Sequence, residues 1–141
     1  MKKMSLFEPI KIGGMEVKNK ISMAPMGAFG LVDNEGCYNQ RAVDYYVERA
    51  KGGAGLIITS ITKVENELDK VIPGIIPIVS INPGRFLMTS AEMTERVHAY
   101  GSKIFLQVLE EAVHQERFWQ LSLFRHLTYQ TIGILKSHAE L

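Results

Sequence analysis

Between Asn39 and Thr59 the hydrophobic period of the chain changes once, and that change restricts the fold more than any other feature. Val43, Tyr46, Val47 and Ala50 recur at i, i+3, i+4 and i+7, one stripe of a helix of about three turns, and Gly52 closes it. Ala54-Gly55-Leu56-Ile57-Ile58-Thr59 follows at once as a nearly continuous apolar run, the pattern of a parallel strand covered on both faces. Ahead of the helix, Ile21-Ser22-Met23-Ala24-Pro25 reads as a first buried strand, ended by a proline that has no N–H for a ladder. The unit is strand, helix, strand.

The pattern repeats downstream. Thr89 and Glu92 have capping-box spacing, so a helix is expected to begin near Thr89, with Met93, Val97 and Tyr100 on one face and Gly101 as terminator. Lys103-Ile104-Phe105-Leu106-Gln107-Val108 then reads as a third strand. Strands and helices alternating at this spacing predict an α/β chain with a parallel sheet and right-handed crossovers. The pattern alone does not separate an open sheet from a barrel. Before the first strand, Ile10 to Ile12 and Glu16 to Lys18 flank Gly13-Gly14-Met15, a small hairpin that reads as a lid. Residues 60–88, punctuated by Pro73-Gly74, Pro77 and Pro83-Gly84, form a connection long enough to read as an active-site loop.

Charge and composition exclude several classes of partner. Sixteen basic and fifteen acidic residues are interspersed along 141 positions, for a net charge of +1, so no electrostatic footprint for nucleic acid or an anionic membrane is expected. No apolar run suits a secretory signal or a membrane span. Cys37, the single cysteine, allows no internal disulfide, fits a reducing cytoplasm and reads as an ordinary unpaired thiol. His114, His126 and His138 have no i, i+3 or i+4 spacing, so no metal site is expected.

Specific residues now become readable within this scaffold. Leu6-Phe7-Glu8-Pro9-Ile10, Val17-Lys18-Asn19-Lys20-Ile21 and Met23-Ala24-Pro25-Met26 occur in the order that opens the old yellow enzyme family. Gly52 to Thr59 resembles that family's second strand, and Met93 to His98 through Leu106-Gln107 its second helix and third strand. The resemblance covers residues 6–108 and implies an eight-stranded (β/α)8 TIM barrel that carries FMN at the C-terminal ends of its strands. It implies that the Ala24, Pro25, Met26 and Gly27 turn contacts the flavin ring, with Pro25 fixing φ there. It also implies that Gln107 binds the polar edge of the flavin pyrimidine, where an amide can donate and accept together. Phe29 falls where several relatives place a tyrosine near the substrate; a core or lid aromatic is the alternative. Gly27 replaces a threonine or cysteine common in the family, and Ile61 stands where a small residue usually meets the ring.

The resemblance implies hydride transfer from NADH or NADPH to FMN, and from reduced flavin to an activated alkene, enone or enoyl thioester. A barrel needs about 250 residues, so the expectation is an incomplete barrel: the hairpin plus about three βα units in residues 1–108, followed by an atypical tail, 109–141. All five prolines and eleven of the twelve glycines lie at or before residue 108. The tail thus lacks the residues that build βα loops, and it supplies none of the family's later substrate, proton-donor or phosphate residues. A reading frame shifted near Val108, by a natural frameshift, a pseudogene or a sequencing error, would account for it: read from the third base of each codon, Thr128 to Leu135 can spell Leu-Pro-Asn-Tyr-Trp-Asp-Pro-Glu, a segment similar to one the family carries after its third strand. The chain is therefore expected to be a catalytically inactive front end of such an enzyme, with no catalytic residue of its own. The alternative is a non-catalytic interaction protein whose tail is a genuine helix.

Overall fold

The computed structural model describes residues 5–27, 29–67 and 70–109. The tail from residue 110 onward, with its three histidines and the frame-shift reading, lies outside the described residues.

Two short strands come first, β1 (Ile10–Ile12) and β2 (Met15–Val17), antiparallel in the register Ile10 to Val17. Their turn is Gly13-Gly14, and Gly13 takes a φ of 59°, left-handed backbone that glycine adopts without a Cβ clash. Met15 thus belongs to the second strand rather than to the turn. The hairpin is fastened by the two residues that follow it. Lys18 Nζ donates to the Tyr100 carbonyl at 2.7 Å and to Ser102 Oγ at 3.0 Å, and Asn19 Nδ2 donates to the Gly53 carbonyl at 2.7 Å. These partners immediately precede the second and third strands of the parallel sheet. The segment just after the hairpin is thereby tied to the N-terminal end of that sheet, while β1 itself is exposed throughout.

The sheet comprises β3 (Ser22–Met23), β4 (Leu56–Lys63) and β5 (Lys103–Leu109), all parallel and in the order β3-β4-β5. Between β3 and β4 runs α1 (Gln40–Lys51), whose N-cap Asn39 accepts from the Ala42 N–H at 3.2 Å and whose C-cap is Gly52. Its buried face is Ala42, Val43, Tyr46, Val47 and Ala50, the stripe expected from the sequence. Between β4 and β5 runs α2 (Pro83–His98), which buries Phe86, Met93 and Val97.

Three expectations need correction. The second helix starts at Pro83, not near Thr89: Asn82 caps it by accepting from the Arg85 N–H at 3.2 Å, and proline is well suited to a first helical position because its missing N–H has no intrahelical partner there. Thr89 lies inside the helix and returns its hydroxyl to the Arg85 and Phe86 carbonyls, both at 3.2 Å, and Tyr100 is 44 % exposed rather than part of the buried face. The first strand is only two residues long, with Ser22 exposed and Met23 half-buried. The second strand runs to Lys63, four residues beyond the apolar run, because Ser60, Thr62 and Lys63 are buried without being apolar.

Both helices pack on one side of the sheet. Their core joins Cys37, Tyr38, Val43, Tyr46, Ile57, Phe86, Met93 and Val97, with Met23, Ile104 and Leu106 against it. Tyr38 lies between two rings, 6.2 Å from Tyr46 edge-on and 5.8 Å from Phe86, geometries that favour aromatic pairs. On the other face Leu56, Ile58 and Phe105 are only half-buried, so among the described residues one face is covered where the apolar run predicted two. The observed unit is an incomplete α/β arc with no closed barrel among the described residues.

Candidate functional site at the C-terminal strand ends

Side chains alternate across a strand, so the helix-facing Ile57, Ile104 and Leu106 leave Ile58, Phe105 and Gln107 on the open face. Strict alternation would also send Ile61 into the helix layer. It does not, because β4 carries one extra residue: Ile58 pairs with Phe105, but Ile61 pairs with Gln107, so Thr59 and Ser60 together stand opposite Leu106. A bulge of this kind shifts the alternation by one. Thr59, Ser60 and Thr62 are all buried, and Thr62 Oγ1 meets the Tyr38 hydroxyl at 3.1 Å. Ile61 consequently lies on the open face beside Gln107.

The bulge is held by side chains. The Ser60 N–H donates to the Tyr46 hydroxyl at 2.9 Å, and burial raises the Tyr46 pKa above the usual phenol value. Thr59 Oγ1 donates to the Ser60 carbonyl at 3.1 Å and accepts from the Gln107 N–H at 3.2 Å. The Gln107 side chain is half-buried, and its carboxamide makes no hydrogen bond within the described residues.

The remaining candidate residues follow β3. Ala24, Pro25, Met26 and Gly27 form an exposed stretch at the C-terminal end of that strand, with Met26 51 % exposed. Phe29 is 78 % exposed, so it is not a core aromatic. Its ring instead fills the space beside Gly27, where a Cβ would come within 2.8 Å of Phe29 Cε2. The structure thus pairs Ile61 with Gln107 and Gly27 with Phe29, all at the end of the sheet away from the hairpin.

Two loops frame this end. Residues 31–39 fold into a small hairpin closed by a bridge between Val32 and Tyr38, inside which Asp33 Oδ1 accepts from the Glu35 and Cys37 N–H groups at 2.9 and 3.0 Å. Arg85, in the first turn of α2, grips it from outside, with Nη2 2.8 Å from Asp33 Oδ2 and Nη1 2.7 Å from Glu35 Oε2; these contacts raise the guanidinium pKa further. Gly36 has a φ of 72° and a Cβ there would lie 2.7 Å from the Ile78 carbonyl oxygen, so only glycine fits. Ile78 returns the contact by donating to the Gly36 carbonyl at 2.9 Å and also bridges to Lys63. The long connection after β4, residues 64–82, is thereby tied to the loop after β3. An open cleft of about 600 Å³ lies between residues 64–67 and 79–83.

Sequence reading missed Thr59, Ser60, Arg85 and the buried Lys63, whose Nζ donates to Asn66 Oδ1 at 3.3 Å. Thr59 was read only as the end of a strand, and Thr59, Ser60 and Arg85 each meet a partner distant in the chain, Gln107, Tyr46 and Asp33. Among the described residues there is no cluster of three or more metal-ligating side chains, and no helix long and apolar enough to cross a membrane.

Comparison with known proteins places this arrangement. The model of the NADH:flavin oxidoreductase / NADH oxidase family matches residues 5–118. A cinnamate reductase of Clostridium sporogenes is 53 % identical over 103 residues, which cover 73 % of this chain and 16 % of that protein. An NADH oxidase of Thermoanaerobacter brockii is 36 % identical over 104 residues, covering 74 % of this chain and 15 % of that protein. Among solved structures, the old yellow enzyme homologue of Zymomonas mobilis superimposes with a TM-score of 0.63 at 32 % identity, covering 74 % of this chain and 27 % of that one. The chain thus spans less than a third of the length of each of these relatives.

Proposed function

The chain belongs to the NADH:flavin oxidoreductase / NADH oxidase family, of old yellow enzyme type, and from that premise we propose that its three parallel strands carry the flavin-ring portion of an FMN-dependent NAD(P)H oxidoreductase site. Bound in the complete enzyme, FMN would supply hydride transfer between NADH or NADPH and an activated carbon–carbon double bond; that chemistry would belong to the cofactor, and the protein would bind and orient it. The cinnamate reductase relative supports an alkene conjugated to a carboxylate as the substrate class.

The observation that carries this reading is the pairing of Ile61 with Gln107 on the open face. It sets an apolar side chain next to a carboxamide with no hydrogen-bond partner among the described residues, a donor set that fits an aromatic ring with a polar edge. Gln107 would donate to and accept from the pyrimidine edge. Ile61 would lie against the ring and exclude water from it. Ala24, Pro25, Met26 and Gly27 would offer backbone groups to the same ring, and Phe29, held beside Gly27, would border the substrate. Residues 6–108 would supply only part of such a site, since the matched stretch is 16 % of the cinnamate reductase's length.

Titration of the purified 141-residue chain with FMN tests this. Expected are no stoichiometric flavin after gel filtration, a saturable quench of flavin fluorescence with weak affinity, and no NAD(P)H oxidation above free FMN. A flavin-loaded, turning-over chain would refute the partial-site reading. Absence of any quench would refute the flavin reading itself.

A further inference from the structure

The bulge in β4 decides which way Ile61 faces, and it also disturbs the ladder next to Gln107. Where two residues of β4 stand opposite one of β5, the regular exchange of N–H and carbonyl groups is interrupted. The Gln107 N–H is met at this point by a side chain, the Thr59 hydroxyl at 3.2 Å. Thr59 is itself fixed: it is 1 % exposed, and its hydroxyl proton goes to the Ser60 carbonyl at 3.1 Å, which leaves a lone pair directed at Gln107. Valine at this position would keep the shape and remove both bonds, and serine would keep both.

We propose that Thr59 is a positioning residue for the flavin site: its hydroxyl holds the Gln107 backbone across the bulge, so that the Gln107 carboxamide meets the pyrimidine edge alongside Ile61. The inference rests on the flavin reading above and extends it to a residue that makes no contact with the ring. The route from Thr59 to the cofactor is its bond to Gln107, while its bond to the Ser60 carbonyl stays within β4. Its effect on the cofactor must therefore vanish once the Gln107 carboxamide is gone.

The experiment combines amide exchange with FMN titration on the full chain and its Thr59→Val, Thr59→Ser, Gln107→Ala and Thr59→Val/Gln107→Ala variants. Exchange at the Gln107 N–H is expected to be slow in the wild type and in Thr59→Ser, and at least about ten-fold faster in Thr59→Val, as the loss of one hydrogen bond of ordinary strength implies. FMN affinity is expected to fall about five-fold in Thr59→Val and to stay within about two-fold in Thr59→Ser. In the Gln107→Ala background, Thr59→Val should change it no further. Unchanged exchange in Thr59→Val overturns the bond. Faster exchange with unchanged FMN affinity makes Thr59 a strand-pairing residue and overturns its role at the cofactor, as does an additive effect in the double variant. Absence of FMN binding by the wild type removes the flavin reading and this role with it, a result distinct from the other two. Should Thr59→Val lose the wild-type circular dichroism spectrum, the wild type and Gln107→Ala decide: an unprotected Gln107 amide, or equal FMN affinity in the two, overturns the proposal.

Discussion

Cys37 has no exposed surface, and its Sγ faces the Glu35 carbonyl at 3.5 Å and the Asn82 carbonyl at 3.7 Å. Burial raises its pKa, the Asp33 carboxylate raises it further, and Arg85 offsets part of the effect. Because the thiolate is the reactive form, Cys37 should be nearly inert to Ellman's reagent at pH 8 in the folded chain and fully reactive in urea. Rapid labelling without denaturant would mean that the 31–39 loop opens readily. The pH dependence follows from the direction of the shift. Folding holds the thiol protonated, so its contribution to stability is intact below the unfolded thiol pKa of about 8.5 and is lost as pH rises from there toward the higher folded value. The sequence reading of Cys37 as an ordinary thiol agrees with this inert setting. The same reading had no access to the setting, because Asp33 and Arg85 meet only when two loops are folded together.

Asn82 and Thr89 test where the second helix begins. Pro83-Gly84, directly after Asn82, reads as punctuation of a loop, and Thr89 with Glu92 reads as a cap, so local signals favoured a boundary six residues too late. Tertiary contacts reverse the choice: Phe86 is buried against Tyr38, and Arg85 is held by Asp33 and Glu35, both within the segment assigned to a loop. Asn82→Ala should cost about 1 kcal/mol for the lost cap, and somewhat more because the Asn82 amide also donates to Glu35 Oε2 at 2.9 Å. Thr89→Ala should change stability by less than about 0.5 kcal/mol, since its hydroxyl bonds carbonyls already used by the helix. Urea midpoints at constant m measure both. Equal losses, or a larger loss for Thr89, would place the helix start at the later position. The first helix shows the opposite case, where the apolar stripe and the closing Gly52 lie within one stretch of sequence and were legible, and the structure adds Asn39 as its cap. Family likeness proposed Gln107 and Ile61 for the candidate site, but their pairing on one face rests on the bulge, which left no apolar or glycine signature.

At the scale of the whole chain, alternating periods gave the order of elements, but closure of a sheet depends on strands far apart in sequence, and three strands carry no signal for it. The change of composition after Val108 is a feature of the same scale. The family likeness to the cinnamate reductase extends over 103 residues, while the chain continues to residue 141 with one further glycine and no proline. A native continuation of a (β/α) barrel needs loop-forming residues after every strand, and codons permitting Leu-Pro-Asn-Tyr-Trp-Asp-Pro-Glu across Thr128 to Leu135 would supply them in another frame. Sequencing the genomic DNA through the codons for Phe105 to Leu141 and beyond, translated in all three frames, decides between two molecules. The expected result is a second frame that runs on from near Val108 through that segment into further barrel strands, which would make residues 109–141 a frame-shifted stretch and place the rest of the proposed flavin site in the other frame. An intact frame with nothing family-like in the other two would make the tail native. The exposed face that carries Ile58, Ile61 and Phe105 would then belong to a non-catalytic interaction protein, and Gln107 would need a partner other than a flavin.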